Sequence, residues 1–534
     1  MPTSRSAHVD PFCRENLPPE ASWPEFLLDF PDVHYPDRLN CAVELLDRVA
    51  AALGGDRPCL LSPDGPAWTY AELQRVSNQL ADVLARTYGI VPGNRVLLRG
   101  PNNPWLVAAW FAVLKAGAVA VTTMPLLRTS ELTTIAEIAQ VDLALCDHRF
   151  VADLAAADLR GRPVVEYGGS TDLLAAASDD FTPVETAADD VAMLAFTSGT
   201  TGRPKATMHF HRDVLAIADT FARHLVRAHA GDVFTGTPPL AFTFGLGGLV
   251  IFPLRVGAAT LLVERATPVE LADLIAAHGV TVCFTAPTAY RAMTAAGKAR
   301  QLRGLRRAVS AGEHLPAATW QDFHDATGIK LIDGIGATEM LHIFISAADD
   351  DIRPGSTGRA VPGYTATILD EDGRPVPPGV VGRLAVKGPT GCRYLADARQ
   401  GVYVQDGWNI TGDTFSQDED GYFWYHARSD DMIVSAGYNI AGPEVEEALL
   451  AHPDVAECGV VGRPDPDRGQ LVTAYVVLRA GVAGDDAKAV ELQDFAKRQI
   501  APYKYPRRIE FVDTLPRTST GKLQRFRLRE ESTR

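Results

Sequence analysis

Strand-like and helix-like runs alternate through the body of this chain, and that alternation leaves few folds open. Residues 94–100 (NRVLLRG) read as a strand, 104–115 as a helix, 117–122 as a strand, 130–140 as a helix and 142–146 as a strand. The pattern resumes with strands at 258–263, 280–285, 306–310 and 330–333, separated by helices at 268–278, 287–296 and 317–326. Strand–helix–strand units imply parallel sheets covered by helices, with ligands taken at the carboxyl ends of the strands. Two separate stretches predict an α/β fold with two parallel-type sheets in one large N-terminal domain.

The pattern changes at about Arg353. Short strand-like runs at 366–369, 382–387 and 421–425, divided by turns such as Glu371-Asp372-Gly373, predict a small β-rich unit closing the large domain. After Arg428 it changes again. Pro443 suits the first position of a helix continuing over 444–450. Strands at 455–462, 471–478 and 509–512 and a helix at 487–499 complete a small α+β C-terminal domain. The first forty residues are Pro-rich and are expected to wrap the surface.

With 51 basic against 66 acidic residues the net charge is −15, which opposes a phosphate backbone and makes nucleic acid a poor partner. The seven cysteines are scattered without a C-x-x-C pair, against a metal finger and for a reducing compartment. Lys115 interrupts the apolar stretch 107–127 and Arg255 the stretch 244–264, so both read as buried elements, not membrane spans. The opening MPTSRSAHVD lacks the apolar core of a signal peptide, and a cytoplasmic protein with no membrane partner is expected.

The sharpest motif is Thr197-Ser198-Gly199-Thr200-Thr201-Gly202-Arg203-Pro204-Lys205, after a strand-like run at 191–196. Its glycines, hydroxyls and lysine suit a loop whose N–H groups and charge wrap phosphate oxygens. It lacks the Walker A spacing, and Gly245-Leu246-Gly247-Gly248 lacks the dinucleotide spacing. The loop resembles the signature of adenylate-forming acyl- and aryl-CoA ligases, relatives of luciferases and peptide-synthetase adenylation domains. Four more signatures of that family follow in order: Asp333-Gly334-Ile335-Gly336-Ala337-Thr338-Glu339, Thr411-Gly412-Asp413, Arg428-Ser429-Asp430-Asp431 and Pro516-Arg517-Thr518-Ser519-Thr520-Gly521-Lys522. Taken singly, Asp413 reads as a turn residue and Lys522 as part of a solvated basic tail; the ordered set reverses both.

The resemblance implies a division into a large AMP-binding domain over 1–427, a hinge at 428–430 pivoting on Asp430, and a mobile small domain over 431–534. It implies ATP, Mg²⁺ and coenzyme A as co-substrates and cofactor. A carboxylate attacks the α-phosphate, pyrophosphate leaves, and a thiol then displaces AMP. Lys522 would bridge carboxylate and phosphate; Lys205 and Thr338 would hold phosphate, and Glu339 the metal. Asp413 and Arg428 would meet the ribose, while Ala311-Gly312-Glu313, Asp333 to Gly336 and Tyr425 flank the base.

The acid is implied by two segments. Phe242-Thr243-Phe244 resembles the acyl-pocket lining, and its rings suit a flat acid. His342, after the second motif and near Gly336, is placed as in benzoate-CoA ligases, and the nearest likeness is to 2-aminobenzoate-CoA ligases. A lone histidine is more often a satisfied core residue. Gly437-Tyr438-Asn439 aligns with the CoA-side loop, with Asn439 where many family members carry Lys or Arg. Two rival readings remain at this point: loading of an aryl acid onto a separate carrier-protein thiol, and a nonenzymatic nucleotide-binding protein. A homodimer is also left open.

Overall fold

The computed structural model describes residues 5–169, 171–197, 204–428, 431–435, 438–465, 468–500, 504–517 and 523–530. Among them the alternating runs become two large sheets. The first has six strands in the order Val164–Tyr167, Leu143–Asp147, Arg95–Arg99, Val119–Thr123, Val191–Thr197 and Lys205–Phe210, parallel except for the last pair. The second has nine, with Leu331–Gly336, Arg307–Ala311, Val282–Thr285, Val233–Gly236, Ala259–Leu261 and Pro58–Leu61 as its parallel centre. Ile343–Ser346 and Arg359–Ala360 extend one side antiparallel, and Trp68–Thr69 the other.

The two apolar stretches are core elements. Asn103 caps the helix Pro104–Lys115 by accepting from the Leu106 N–H, and Pro104 fits the first turn, where no intrahelical donor is needed. That helix is buried nearly all round, which explains a composition apolar on every face. Among the described residues no helix is long and apolar enough to cross a membrane. All seven cysteines are buried and free.

The β-rich unit is an antiparallel sheet of Thr365–Leu369, Gly382–Lys387, Trp408–Gln417 and Val404–Gln405, with Phe423–Arg428 paired to Trp408–Gln417. The last strand therefore begins beyond Gly421, because residues 418–421 form the turn that enters it. The C-terminal unit centres on Gly469–Leu478, antiparallel to Val455–Asp465 and parallel to Arg508–Phe511. Its helix Gly442–Leu450 starts one residue before the expected Pro443, with Ala441 in the capping position. The N-terminal segment does lie across the large body: Asp10 pairs with Arg95, whose guanidinium sits 4.4 Å above the Phe12 ring.

Candidate active site

The carboxyl ends of the two large sheets face each other. Asn102, just beyond Arg95–Arg99, donates to the Pro238 carbonyl and accepts from the Leu240 N–H, and Thr122 donates to Ala241. Thr197 and Lys205 are register partners across the hairpin that carries the phosphate-type loop. The strand Leu331–Gly336 runs into a single 3-10 turn, Thr338–Met340, on the opposite side of the gap.

That turn is gripped from the first sheet. His209 lies on the strand Lys205–Phe210 and donates from Nε2 to the Thr338 carbonyl at 2.8 Å. Burial holds the His209 pKa down to about 4, so the ring is neutral. Lys205 reaches Glu339 Oε1 at 3.0 Å, and Tyr394 donates to the same oxygen at 2.5 Å. Lys205 also meets the Tyr394 hydroxyl and lies 4.4 Å above its ring. Burial and the Glu339 charge push the Tyr394 pKa far up, so its hydroxyl stays a donor. Beneath, Arg393 and Asp213 form a completely buried ion pair.

The residues expected to meet a nucleoside sit at the next strand ends. Arg307–Ala311 stops at Gly312, whose φ of +90° lies in the region open to glycine. Asp333 is enclosed at its strand end, and burial raises its pKa to about 8. A Cβ at Gly336 would stand 2.7 Å from the His342 carbonyl, so only glycine lets the strand pass there. Tyr425 stacks on His314 with centroids 5.3 Å apart and meets Phe415 edge-on. Asp413 is opposite Arg428 in the strand register. A cavity of about 420 Å³ joins Gly312, Glu313, Asp333 to Gly336, Asp413 and Tyr425 to Arg517 and Arg525 of the C-terminal unit. Arg517 spans the two units, 2.7 Å from Glu457 and 3.8 Å from Glu313.

The segment expected to line an aryl pocket opens a short helix, Thr243–Leu246, with Phe242 before it. Thr243 is buried, while Phe242 and Phe244 are half-buried. His342 is 2% exposed and ringed by Phe252, Phe221, Phe244 and Phe284 at centroid distances of 4.6, 5.5, 5.6 and 6.3 Å. A Cβ at Gly247 would lie 2.3 Å from the ring, so this glycine makes the approach possible. Among the described residues no side chain hydrogen-bonds either ring nitrogen, and the Phe244 backbone is the polar group the ring meets. Burial lowers the pKa to about 3 and keeps the imidazole neutral. Leu341, just before it, takes a φ of +69°, which turns the chain between Glu339 and His342.

Thus Gly312, Glu313, Asp333, Gly334, Ile335, Gly336, Asp413 and Tyr425 line one cavity, with Ala311 at the strand end beside it; Lys205 meets Glu339 next to Thr338, with Thr197 as the register partner of Lys205; and His342 lies against Phe244, in the segment Phe242–Phe244, within the phenylalanine cluster. Ser198, Gly199, Thr200, Thr201, Gly202, Asp430, Gly437 and Lys522 lie outside the described residues, as do the side chains of Arg428, Tyr438 and Asn439. Sequence reasoning did not single out Tyr394, His209, His314 or Phe284 as site residues. Tyr394 arrives because residues 393–395 pair beside Lys205–Phe210, with Met208 N–H donating to Arg393 and Leu395 N–H to Ala206. No local spacing announces that pairing.

Residues 46–394 match the model of the AMP-binding enzyme family, and residues 444–522 that of the AMP-binding enzyme C-terminal domain. The chain is 36% identical over 515 residues to the benzoate–CoA ligase of Thauera aromatica, covering 93% of this chain and 97% of that protein. It is 32% identical over 508 residues to the 3-hydroxybenzoate–CoA ligase of Aromatoleum sp. (strain CIB), covering 92% and 97%. The crystal structure of the anthranilate CoA ligase AuaEII with anthranoyl-AMP superimposes with a TM-score of 0.88 at 33% identity, covering 93% of this chain and 98% of that one. Sequence, fold and the order of motifs around the gap agree: this chain belongs to the AMP-binding enzyme family.

Proposed function

We propose that the protein is an ATP-dependent aryl-CoA ligase whose acid is 2-aminobenzoate. The benzoate- and anthranilate-specific relatives support an aryl acid. The observation that carries the finer reading is His342, a neutral imidazole with no side-chain hydrogen-bond partner among the described residues, inside a phenylalanine cage. A buried polar ring with a nitrogen left unpaired is costly, and a flat acid with an ortho amino or carboxylate group would supply a partner.

In the first half-reaction the carboxylate oxygen attacks the α-phosphorus and pyrophosphate departs. Two anions must meet, so catalysis rests on fixed positive charge and donors. Lys522 supplies the bridging charge and Thr338 its hydroxyl. Lys205 and the loop from Thr197 to Gly202 hold the outer phosphates. Asp413 accepts from the ribose hydroxyls, with Arg428 adding donors, and Tyr425 covers the base. Glu339 suits a magnesium ion: its carboxylate is a hard oxygen donor, and Oε2 has no partner among the described residues. Bound there, the ion would offset phosphate charge. In the second half-reaction the CoA thiol attacks the aryl carbonyl and AMP leaves.

We further propose that residues 1–427 form the catalytic body and that 431–534 swing about Asp430 between the two steps. Asp430→Pro is expected to keep adenylate formation and lose thioester formation, since proline fixes φ where a hinge must change it. Full turnover by that variant would remove the pivot.

The substrate test is a panel of benzoates assayed for ATP- and CoA-dependent AMP release. His342→Ala is expected to lower kcat/KM for 2-aminobenzoate by about tenfold or more while leaving the KM for ATP unchanged. A lowered melting temperature with an unchanged 2-aminobenzoate to benzoate ratio would make His342 a core residue only.

A further inference from the structure

Glu339 is held by one oxygen. Oε1 takes both the Tyr394 hydroxyl at 2.5 Å and the Lys205 ammonium at 3.0 Å, and Oε2 takes no hydrogen bond from any described residue. The two holders differ. Lys205 is a point charge on a flexible stem, 18% exposed, at the first residue of its strand and directly after the phosphate-type loop. An incoming phosphate would compete for it. Tyr394 is fully buried, and its ring packs against Tyr403. Its backbone N–H is tied to Gln400 at 2.9 Å, and its flanking residues are paired to Met208 and Ala206. A phenol donor also orients the carboxylate without cancelling its charge, which an ammonium does.

We propose that Tyr394 is a positioning residue for a divalent cation: it clamps Glu339 Oε1 so that Oε2 stays turned toward the metal after Lys205 has moved to phosphate. This rests on the reading of Glu339 as the metal ligand. Hydrogen-bonded partners of a ligating carboxylate typically contribute about 10–100-fold to metal affinity.

The test uses the full-length protein saturated with the α,β-methylene analogue of ATP, titrated with Mn²⁺ while the free ion is followed by electron paramagnetic resonance. Tyr394→Phe keeps the ring packing and removes the donor. It is expected to weaken Mn²⁺ binding about tenfold. The Mg²⁺ concentration for half-maximal adenylation should rise by a similar factor, with the KM for the aryl acid and the rate of thioester formation from supplied aryl-AMP unmoved. Tyr394→His, which retains a ring donor, is expected to fall between the two and serves if the Phe variant unfolds. Unchanged Mn²⁺ affinity in both variants, while Glu339→Gln weakens it, overturns the role of Tyr394 alone. Unchanged affinity in Glu339→Gln overturns the metal-ligand reading and the inference with it.

Discussion

Lys522→Ala is expected to lose about 10²–10³ of the adenylation rate and to leave thioester formation from supplied aryl-adenylate near its original value. The asymmetry is the point. A cation is needed where a carboxylate approaches a phosphate, and the second half-reaction has no such meeting of anions. Lys522→Arg keeps charge but exchanges a compact ammonium for a planar fork, so only partial recovery is expected. Acetylating Lys522 removes the charge and should reproduce the alanine result. Separate assays of pyrophosphate exchange and of CoA transfer from synthetic aryl-AMP give the two rates. Equal losses in both would mean that Lys522 maintains the fold or the CoA site instead.

Arg393→Met should cost about 3–5 kcal/mol of stability, because it leaves the buried Asp213 charge with only Arg212, 4.0 Å away, as a counter-charge among the described residues. The pair sits directly under the site. Arg393 packs 3.7 Å above the Phe210 ring and also donates to the Met208 carbonyl. Asp213 accepts from the Phe210 N–H at 2.9 Å. Methionine keeps most of the apolar packing, so the loss isolates the charge. Adding Asp213→Asn should recover part of it, since asparagine is neutral and can still accept from Phe210. The denaturation midpoints of the single and double variants measure this. A cost below about 1 kcal/mol would put the pair with surface-type bridges. Because Arg393 precedes Tyr394, adenylation is expected to fall with stability in the single variant and to return with it in the double.

The sequence alone carried the fold class. Periods of two and of 3.6 residues depend on local backbone geometry, so runs such as 94–115 and 268–296 read as strands and helices within a few residues of Arg95–Arg99, Pro104–Lys115, Pro268–Ala277 and Pro287–Ala295. Element ends were less legible, as at Phe423–Arg428 and Gly442–Leu450, because turns and caps decide them. The motif residues were readable through the resemblance to the family, which supplies both residue type and order: Lys205, Glu339 and Asp413 stand where that resemblance places a phosphate loop, a metal and a ribose. Tertiary structure decided what surrounds them. Tyr394 meets Glu339 across 55 positions, His209 meets Thr338 across 129, and Arg393 meets Asp213 across 180. Such contacts depend on which sheet edge a returning segment pairs with, and no local period encodes that choice. The same holds for the cage around His342. Phe221, Phe252 and Phe284 are ordinary core phenylalanines in the sequence, and they become the wall of one ring only because Gly247 lets the helix backbone come close.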